Sequence, residues 1–222
     1  MFPWRITGAG VIFLTTIKKE LCLIVGREKD KSRRLGYKIY EDFGGGIDKN
    51  ETIRLAAQRE SFEETCKTLK INLKDTMANI FRLRYYRYGL YFVKLEDNMS
   101  TKLTTVFKNN KKQLKKSNAK KVYLEVDKID FIPLKNFLDN NKYTILKKNA
   151  YSKKKEMRVV EIENYNSDKI ILSDRLTSIF YPKTKFRSVI LDIIDNLKPV
   201  KLKIDSKDGI DTFVGSVKKN NK

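Results

Sequence analysis

The sequence predicts an α/β protein, and three of its features lead to that class. The apolar runs at 11–14 and 21–25, separated by Lys18-Lys19-Glu20, predict two buried strands joined by a hairpin. Residues 52–66 carry apolar side chains on one side and charged ones on another, which is typical of an amphipathic helix. Strand patterns at 90–95 and 157–165 alternate with apolar residues at helical spacing.

Length, charge and residue usage narrow the function classes. The 222 residues suit one domain with an elaboration, or one domain and a small second one. The chain has 48 basic and 27 acidic residues, and its net charge of +21 attracts polyanions: nucleic acid, highly phosphorylated small molecules or an anionic membrane. Codon usage in an AT-rich genome is the alternative origin of the lysines. Because histidine is absent, two cysteines cannot complete an ordinary structural zinc site, and histidine-dependent triads are excluded.

The cysteines and the N-terminal segment indicate an intracellular, cytoplasmic protein. Cys22 falls in an apparent strand and Cys66 near the end of the predicted helix, so both are expected to be small core residues rather than a disulfide. The apolar run in residues 1–17 is too short to span a bilayer and precedes no convincing small-residue cleavage site. We therefore expect no membrane span.

The densest chemistry lies in residues 43–67, FGGGIDKNETIRLAAQRESFEETCK. Glu60, Glu63 and Glu64 stand at i, i+3 and i+4 and therefore share one helix face. Three carboxylates there repel one another, but they suit Mg²⁺ or Mn²⁺, which binds a few carboxylates together with water and substrate phosphate. The preceding glycines let the backbone approach an anion. The segment predicts metal-dependent phosphate chemistry; the alternative is a solvated amphipathic helix.

This segment resembles the Nudix hydrolase pattern G-x5-E-x7-R-E-U-x-E-E-x-G-U, in which U is a bulky apolar residue. The first glycine and the charged positions are filled at the required spacing, by Gly45, Glu51, Arg59, Glu60, Glu63 and Glu64. Three positions depart from the pattern: Ser61 replaces an apolar residue, Cys66 replaces the last glycine, and Lys67 replaces the final apolar residue. Phe62 is expected to supply the packing that Ser61 does not.

The resemblance implies an α/β/α sandwich, with a mixed sheet between helices, over residues 1–145. Residues 146–200 are expected to form a C-terminal strand-helix extension packed on this core, and residues 201–222 a frayed basic tail. Ser173 resembles the N-cap of a helix, and a second helix is predicted before Pro199. These helices are expected to cover an apolar surface of the core or to form a homodimer contact.

The resemblance also implies roles for individual side chains. Glu63 and Glu64 would be the main metal ligands, together with the Gly45 carbonyl. Glu60 would bind metal through water or help to activate the attacking water. Arg59 would pair with Glu51 or a neighbouring glutamate. Glu125 corresponds to a further family glutamate, a metal ligand or general base; the alternative is a surface strand glutamate.

Two basic segments are candidates for substrate binding. Residues 82–88 interleave arginines, which pair with phosphates, and tyrosines, which stack on bases; the candidates are Arg82, Arg84, Tyr85, Tyr86 and Arg87. An exposed hairpin is the alternative. Residues 102–121 contain eight lysines and no acid, and we expect a loop or a short irregular helix there. This segment is either a phosphate-binding patch or a disordered insertion, and its candidates are Lys111, Lys112, Lys115 and Lys116.

Together, the segments predict Mg²⁺- or Mn²⁺-dependent hydrolysis of a phosphoanhydride. The lysine excess favours capped RNA, as in the viral decapping enzymes that the Nudix family includes. One alternative is a hydrolase of diphosphoinositol polyphosphates or of (di)nucleoside polyphosphates, which are small and densely charged. The other is a non-catalytic RNA-binding module on the same fold, although such a module has no need of the full carboxylate set.

Overall fold

The computed structural model describes residues 6–29, 37–73, 79–83, 86–139, 144–147, 156–173, 175–176 and 191–217. Within these ranges the chain is a mixed α/β protein with a mixed sheet, and the predicted class is confirmed. Its strands are β1 Gly8–Ile17, β2 Glu20–Glu28, β3 Ile39–Glu41, β4 Phe43–Gly46, β5 Leu69–Asn72, β6 Asn79–Leu83, β7 Tyr86–Lys94, β8 Val126–Pro133, β9 Thr144–Lys147, β10 Glu156–Glu163, β11 Lys169–Leu172, β12 Lys203–Lys207 and β13 Ile210–Ser216. Its helices are α1 Ile53–Glu64, α2 Ser100–Lys116 and α3 Leu134–Asp139, with a 3-10 helix at Lys121–Leu124.

The β1–β2 hairpin is the centre of the larger sheet, as the sequence predicts. Its turn is Lys18-Lys19, and both residues have left-handed backbones, with φ of 47° and 69°. This is the twist that two-residue hairpin turns require. β1 also pairs in parallel with β7 and antiparallel with β4, and β2 pairs with β3 and β8. The glycine segment of β4 is therefore held directly against the core strand.

Helices cover both faces of this sheet. Successive side chains of β1 point to opposite faces, so that Val11 and Phe13 pack with residues of α1 and α2. Ile12 and Leu14 belong to a second core, which includes residues of α3 and of the helical segments at 175–176 and 191–195. The layers are helices, sheet and helices.

The lysine-rich segment is a helix, so the prediction of a loop or short irregular helix for residues 102–121 is wrong. α2 extends from Ser100 to Lys116 and buries Leu103, Val106, Phe107 and Leu114 against the core. These apolar positions recur at helical spacing, and all of the helix lysines except the part-buried Lys111 are exposed on its solvent side. Burial of this narrow stripe fixes the segment despite its charge.

The basic tail predicted for residues 201–222 is also wrong over most of its length. β12 and β13 form a hairpin, and β13 pairs in parallel with β5. The turn, Asp208-Gly209, has φ of 53° and 73°, which is the conformation that an Asp-Gly pair favours in a hairpin. Phe213 in β13 is buried, so an apolar side chain holds the hairpin against the core. Residues 218–222 lie outside the described residues.

The extension before this hairpin is described only in part. The Ser173 side chain accepts a hydrogen bond from the Leu176 N–H at 3.2 Å, which agrees with its predicted capping role. Leu176 and Ile194 are buried in the second core. In the described part of the chain, no helix is both long and apolar enough to cross a membrane.

Candidate active site

A cavity of about 430 Å³ lies between the glycine turn of β4 and the start of β8. The Thr52 hydroxyl caps α1 by accepting a hydrogen bond from the Leu55 N–H, at 3.2 Å. The capped helix turns its glutamates towards β4. Six glutamates and two arginines line the cavity: Glu28, Glu41, Glu60, Glu63, Glu64, Glu125, Arg59 and Arg175.

Arg59 is the hub of the outer part of the site. Its Nε and Nη2 atoms donate to the two Glu51 carboxylate oxygens at 3.0 and 2.9 Å. Its Nη1 atom donates to Glu60 at 2.8 Å and to Glu63 at 3.2 Å, and Nη2 also donates to the Gly46 carbonyl at 2.9 Å. The hydrogen bond from Arg59 lowers the pKa of Glu51. One guanidinium thus ties the helix to the glycine turn.

Glu60 packs directly on the glycine turn. A Cβ atom at Gly45 would lie 2.6 Å from the Glu60 Oε1 atom, so any side chain at position 45 would displace the Glu60 carboxylate. Burial raises the pKa of Glu60, and the adjacent Arg59 opposes the rise. Glu60 is therefore a carboxylate whose proton affinity lies above the ordinary range, in the wall of an open cavity.

Glu64 is set deeper than Glu60. Its Oε2 atom accepts a hydrogen bond from the Gly44 N–H at 2.5 Å. Burial raises its pKa well above the ordinary value, Arg175 counters this, and the nearby Asp42 and Glu41 add to the rise. Such a desolvated carboxylate is stabilised by any cation that reaches it.

A buried layer beneath the glycine turn was not predicted from the sequence. Arg175 Nε donates to the Asp42 Oδ1 atom at 2.8 Å, and Arg175 Nη1 donates to the Gly44 carbonyl at 3.1 Å. The Tyr88 hydroxyl donates to the other Asp42 oxygen at 2.9 Å, and the guanidinium lies 4.8 Å from the Tyr88 ring centroid. Burial raises the pKa of Asp42, which Arg175 opposes. A signal existed for Asp42, because an acid between the apolar residues of β3 and Phe43, just ahead of the glycines, needs a partner.

The end of α1 explains two departures from the Nudix pattern. Cys66 and Lys67 have left-handed backbones, with φ of 52° and 59°, where the pattern has its last glycine and following apolar residue. Cys66 is buried, and the packing of its side chain in the core offsets the energetic cost of its left-handed backbone. Ser61 is buried as well, whereas Phe62 is half-buried and lines a different cavity. Phe62 thus does not take the core place of Ser61, and that expectation is wrong.

The other predicted residues are divided between the cavity and the surface. Glu125 lies in the cavity wall, next to the 3-10 helix. Lys112, Lys115 and Lys116 are exposed on α2, but the Lys111 Nζ atom donates to the Val126 carbonyl at 2.8 Å, and burial lowers its pKa. Of the Arg/Tyr candidates, the backbone of Arg82 lies in β6 and those of Tyr86 and Arg87 in β7. The candidates outside the described residues are Arg84 and Tyr85.

The donor set of this cavity fits a hard divalent cation. Six glutamates provide only oxygen donors, the chemistry that Mg²⁺ and Mn²⁺ select. Among the described residues, no three carboxylate, cysteine or histidine side chains are yet arranged so that they could hold an ion. The contacts above explain this, since Glu60 and Glu63 bind Arg59, and Glu64 binds the Gly44 amide. Ion binding therefore requires these carboxylates to rotate.

Comparison with known proteins shows a likeness to solved structures only. Neither a protein-family model nor a curated protein sequence matches the chain. Among solved structures, it is similar to a MutT/nudix family protein from Enterococcus faecalis, with 10% identity and a TM-score of 0.38. The match covers 89% of this chain and 66% of that one, so the chain spans slightly less than two thirds of its length.

Proposed function

We propose that the chain is a divalent-metal-dependent hydrolase of the Nudix type that cleaves a phosphoanhydride bond, with capped RNA as its substrate. One observation carries the proposal: a chain of net charge +21 gathers six glutamates around a single cavity beside a glycine turn. Without a function, so many neighbouring carboxylates would repel one another and only destabilise the fold. A cation shared with a phosphate substrate is the arrangement that this charge suits.

Glu63, Glu64 and the Gly45 carbonyl are the proposed metal ligands, with Glu60 bound through water. When bound, Mg²⁺ or Mn²⁺ neutralises charge on the diphosphate and lowers the pKa of a coordinated water. The protein's own groups hold the constellation. Arg59 fixes Glu51 against the helix, and Arg175 balances the buried negative charge beneath the glycines.

Glu60 and Glu125 are the proposed proton acceptors for the attacking water. Both line the cavity, and the charge of Glu125 contributes to the raised pKa of Glu60. A carboxylate with a raised pKa is a stronger base than an exposed one. The water oxygen would bond to phosphorus while the anhydride P–O bond breaks, and the proton would pass to one of these carboxylates.

The charge distribution near the cavity favours a long anionic substrate. The exposed α2 lysines Lys112, Lys115 and Lys116 precede the 3-10 helix, which leads directly into Glu125 in the cavity wall. A cationic surface close to an acidic site can bind the distant part of a polyanion while the metal site holds its diphosphate. Capped RNA has this form, whereas small polyphosphates would leave the lysines unused.

The test is incubation of the protein with cap-labelled RNA and Mg²⁺, beside Glu64→Gln and the matched control Glu161→Gln on the exposed side of β10. We expect release of labelled, methylated guanosine diphosphate by the unsubstituted protein and by the control. In Glu64→Gln the rate of release should fall by more than the roughly 10–100-fold that is typical when a residue hydrogen-bonded to a metal ligand is replaced. Hydrolysis of only diphosphoinositol or nucleoside polyphosphates would retain the chemistry and change the substrate. RNA binding without hydrolysis of any diphosphate would identify a binding module instead.

A further inference from the structure

A second cavity, of about 660 Å³, lies where the end of α1, the C-terminal half of α2 and the β12–β13 hairpin meet. We call it the basic groove. Four lysines and two aspartates line it: Lys67, Lys70, Lys116, Lys207, Asp205 and Asp208. It therefore has a net positive charge, in contrast to the glutamate-lined cavity. None of these six residues lines the glutamate-lined cavity.

The shape of the basic groove is fixed by the way the hairpin is attached. On α2, the buried Asn110 side chain donates to the Asp211 carbonyl at 2.7 Å and accepts from the Asp211 N–H at 3.0 Å. The Thr212 hydroxyl donates to the Lys67 carbonyl at 2.9 Å, and the Phe213 N–H donates to the Thr68 carbonyl at 2.8 Å. The hairpin is thus bonded to both other walls. A ligand would meet a preformed groove, with little ordering cost.

The floor of the basic groove is apolar. Phe62, Leu114 and Ile210 line it between the lysines. Phe62 is available there because Ser61 occupies the neighbouring buried position of α1. Single-stranded nucleic acid binds where cationic side chains lie beside an aromatic ring, with phosphates on the lysines and a base on the ring, and Phe62 is the aromatic residue of this lining.

The basic groove and the glutamate-lined cavity are lined by residues that are close in the chain. Ala119 lines the groove and Val122 lines the cavity. Three residues span at most roughly 11 Å even when fully extended. The 3-10 helix Lys121–Leu124 forms the boundary, and the Lys67 Nζ atom lies 4.5 Å from the centroid of the Tyr123 ring at this boundary. One linear polyanionic ligand can therefore enter both cavities.

We infer that the basic groove binds the single-stranded RNA that follows the reacting diphosphate. This inference rests on the proposed function for its account of catalysis, but RNA binding by the groove is a separate property. A compact polyphosphate would fill the acidic cavity alone. A strand is the ligand that uses two adjacent cavities of opposite charge, with its diphosphate in one and its phosphodiester backbone in the other.

The first test measures binding without catalysis, by fluorescence anisotropy of a labelled single-stranded RNA carrying a 5′-hydroxyl, in EDTA. The groove variant is Lys67→Gln/Lys70→Gln/Lys207→Gln. The control variant is Lys18→Gln/Lys19→Gln/Lys169→Gln, which neutralises exposed lysines elsewhere and equals it in net charge. We expect the groove variant to bind at least tenfold more weakly. Its slope of log affinity against log salt should be shallower by about two, at roughly 0.7 for each lost phosphate contact.

Equal weakening in both variants would overturn the inference, because it would show a general charge effect. The inference would also be overturned if the groove variant bound RNA as tightly as the unsubstituted protein does. The same holds if the groove variant lost only its binding to anionic phospholipid vesicles. In a second arm, capped RNA of about 30 nucleotides is compared with a cap dinucleotide. The groove variant should retain its turnover of the dinucleotide and lose its preference for the long RNA. If the unsubstituted protein hydrolyses neither substrate but loses RNA binding in the groove variant, the proposed function fails and the groove assignment stands.

Discussion

The buried ion pair between Arg175 and Asp42 provides the most demanding test of the site. The Nε and Oδ1 atoms are 2.8 Å apart, and the side chains are 16% and 0% exposed. Arg175→Met would remove the guanidinium and leave Asp42 without its cation, while Glu64 would lose the charge that opposes its desolvation. Removing one partner of a buried pair costs about 3–5 kcal/mol, against a total stability of roughly 5–15 kcal/mol for a folded protein.

Urea unfolding, followed by tryptophan fluorescence and far-UV circular dichroism, would measure this loss. Asp42→Asn/Arg175→Met should be less destabilised than the sum of its single variants, since neither buried charge remains unpaired. Arg27→Met is the control, because its partner Asp127 is a quarter exposed and can be hydrated. A loss of less than about 1 kcal/mol in Arg175→Met, or strict additivity in the double variant, would refute the reasoning.

Three further changes test the backbone and the hairpin. Lys18→Asn/Lys19→Gly should raise the free energy of unfolding by about 1–2 kcal/mol, because the left-handed turn then has its preferred residues; unchanged urea midpoints would contradict this. Asn110→Ala should reduce the free energy of unfolding by about 1–3 kcal/mol and expose the C-terminal hairpin to limited proteolysis, because it leaves the part-buried Asp211 N–H and carbonyl without this partner. Resistance to proteolysis equal to that of the unsubstituted protein would contradict this. Gly45→Ala should reduce diphosphate hydrolysis, whereas Gly46→Ala, with open space around its Cβ position, should not; equal rates would remove the assigned role of that turn.

Local spacing predicted the parts of the site that are close in sequence. The separation between Glu51 and Arg59 matched the pattern, and the two side chains are paired in the structure. The Arg175–Asp42 pair joins residues 133 positions apart. No local periodicity reports such a contact, because the sheet pairing between β11 and β3 creates it.

The two errors over the basic segments have a common physical cause. A high lysine content favours a disordered segment, but burial of Leu103, Phe107 and Leu114 is enough to fix α2 as a helix. In the last segment, Asp208-Gly209 was a visible turn signal between two strand-forming runs. Solvated lysines impose little on the backbone, so the few apolar residues between them decide the structure.

The position of Arg59 determines how the negative charge of the site is balanced in the protein without a metal ion. Its guanidinium already serves Glu60 and Glu63 as an internal counter-ion. Binding of the proposed ion would therefore exchange one cation for another, and its free energy would be the difference between the two. Because Arg59 already pairs with these carboxylates, we expect a chelator to abolish the proposed hydrolysis without unfolding the protein. The affinity of such a site for an ion depends as much on the strength of the arginine–glutamate interactions as on the number of glutamates.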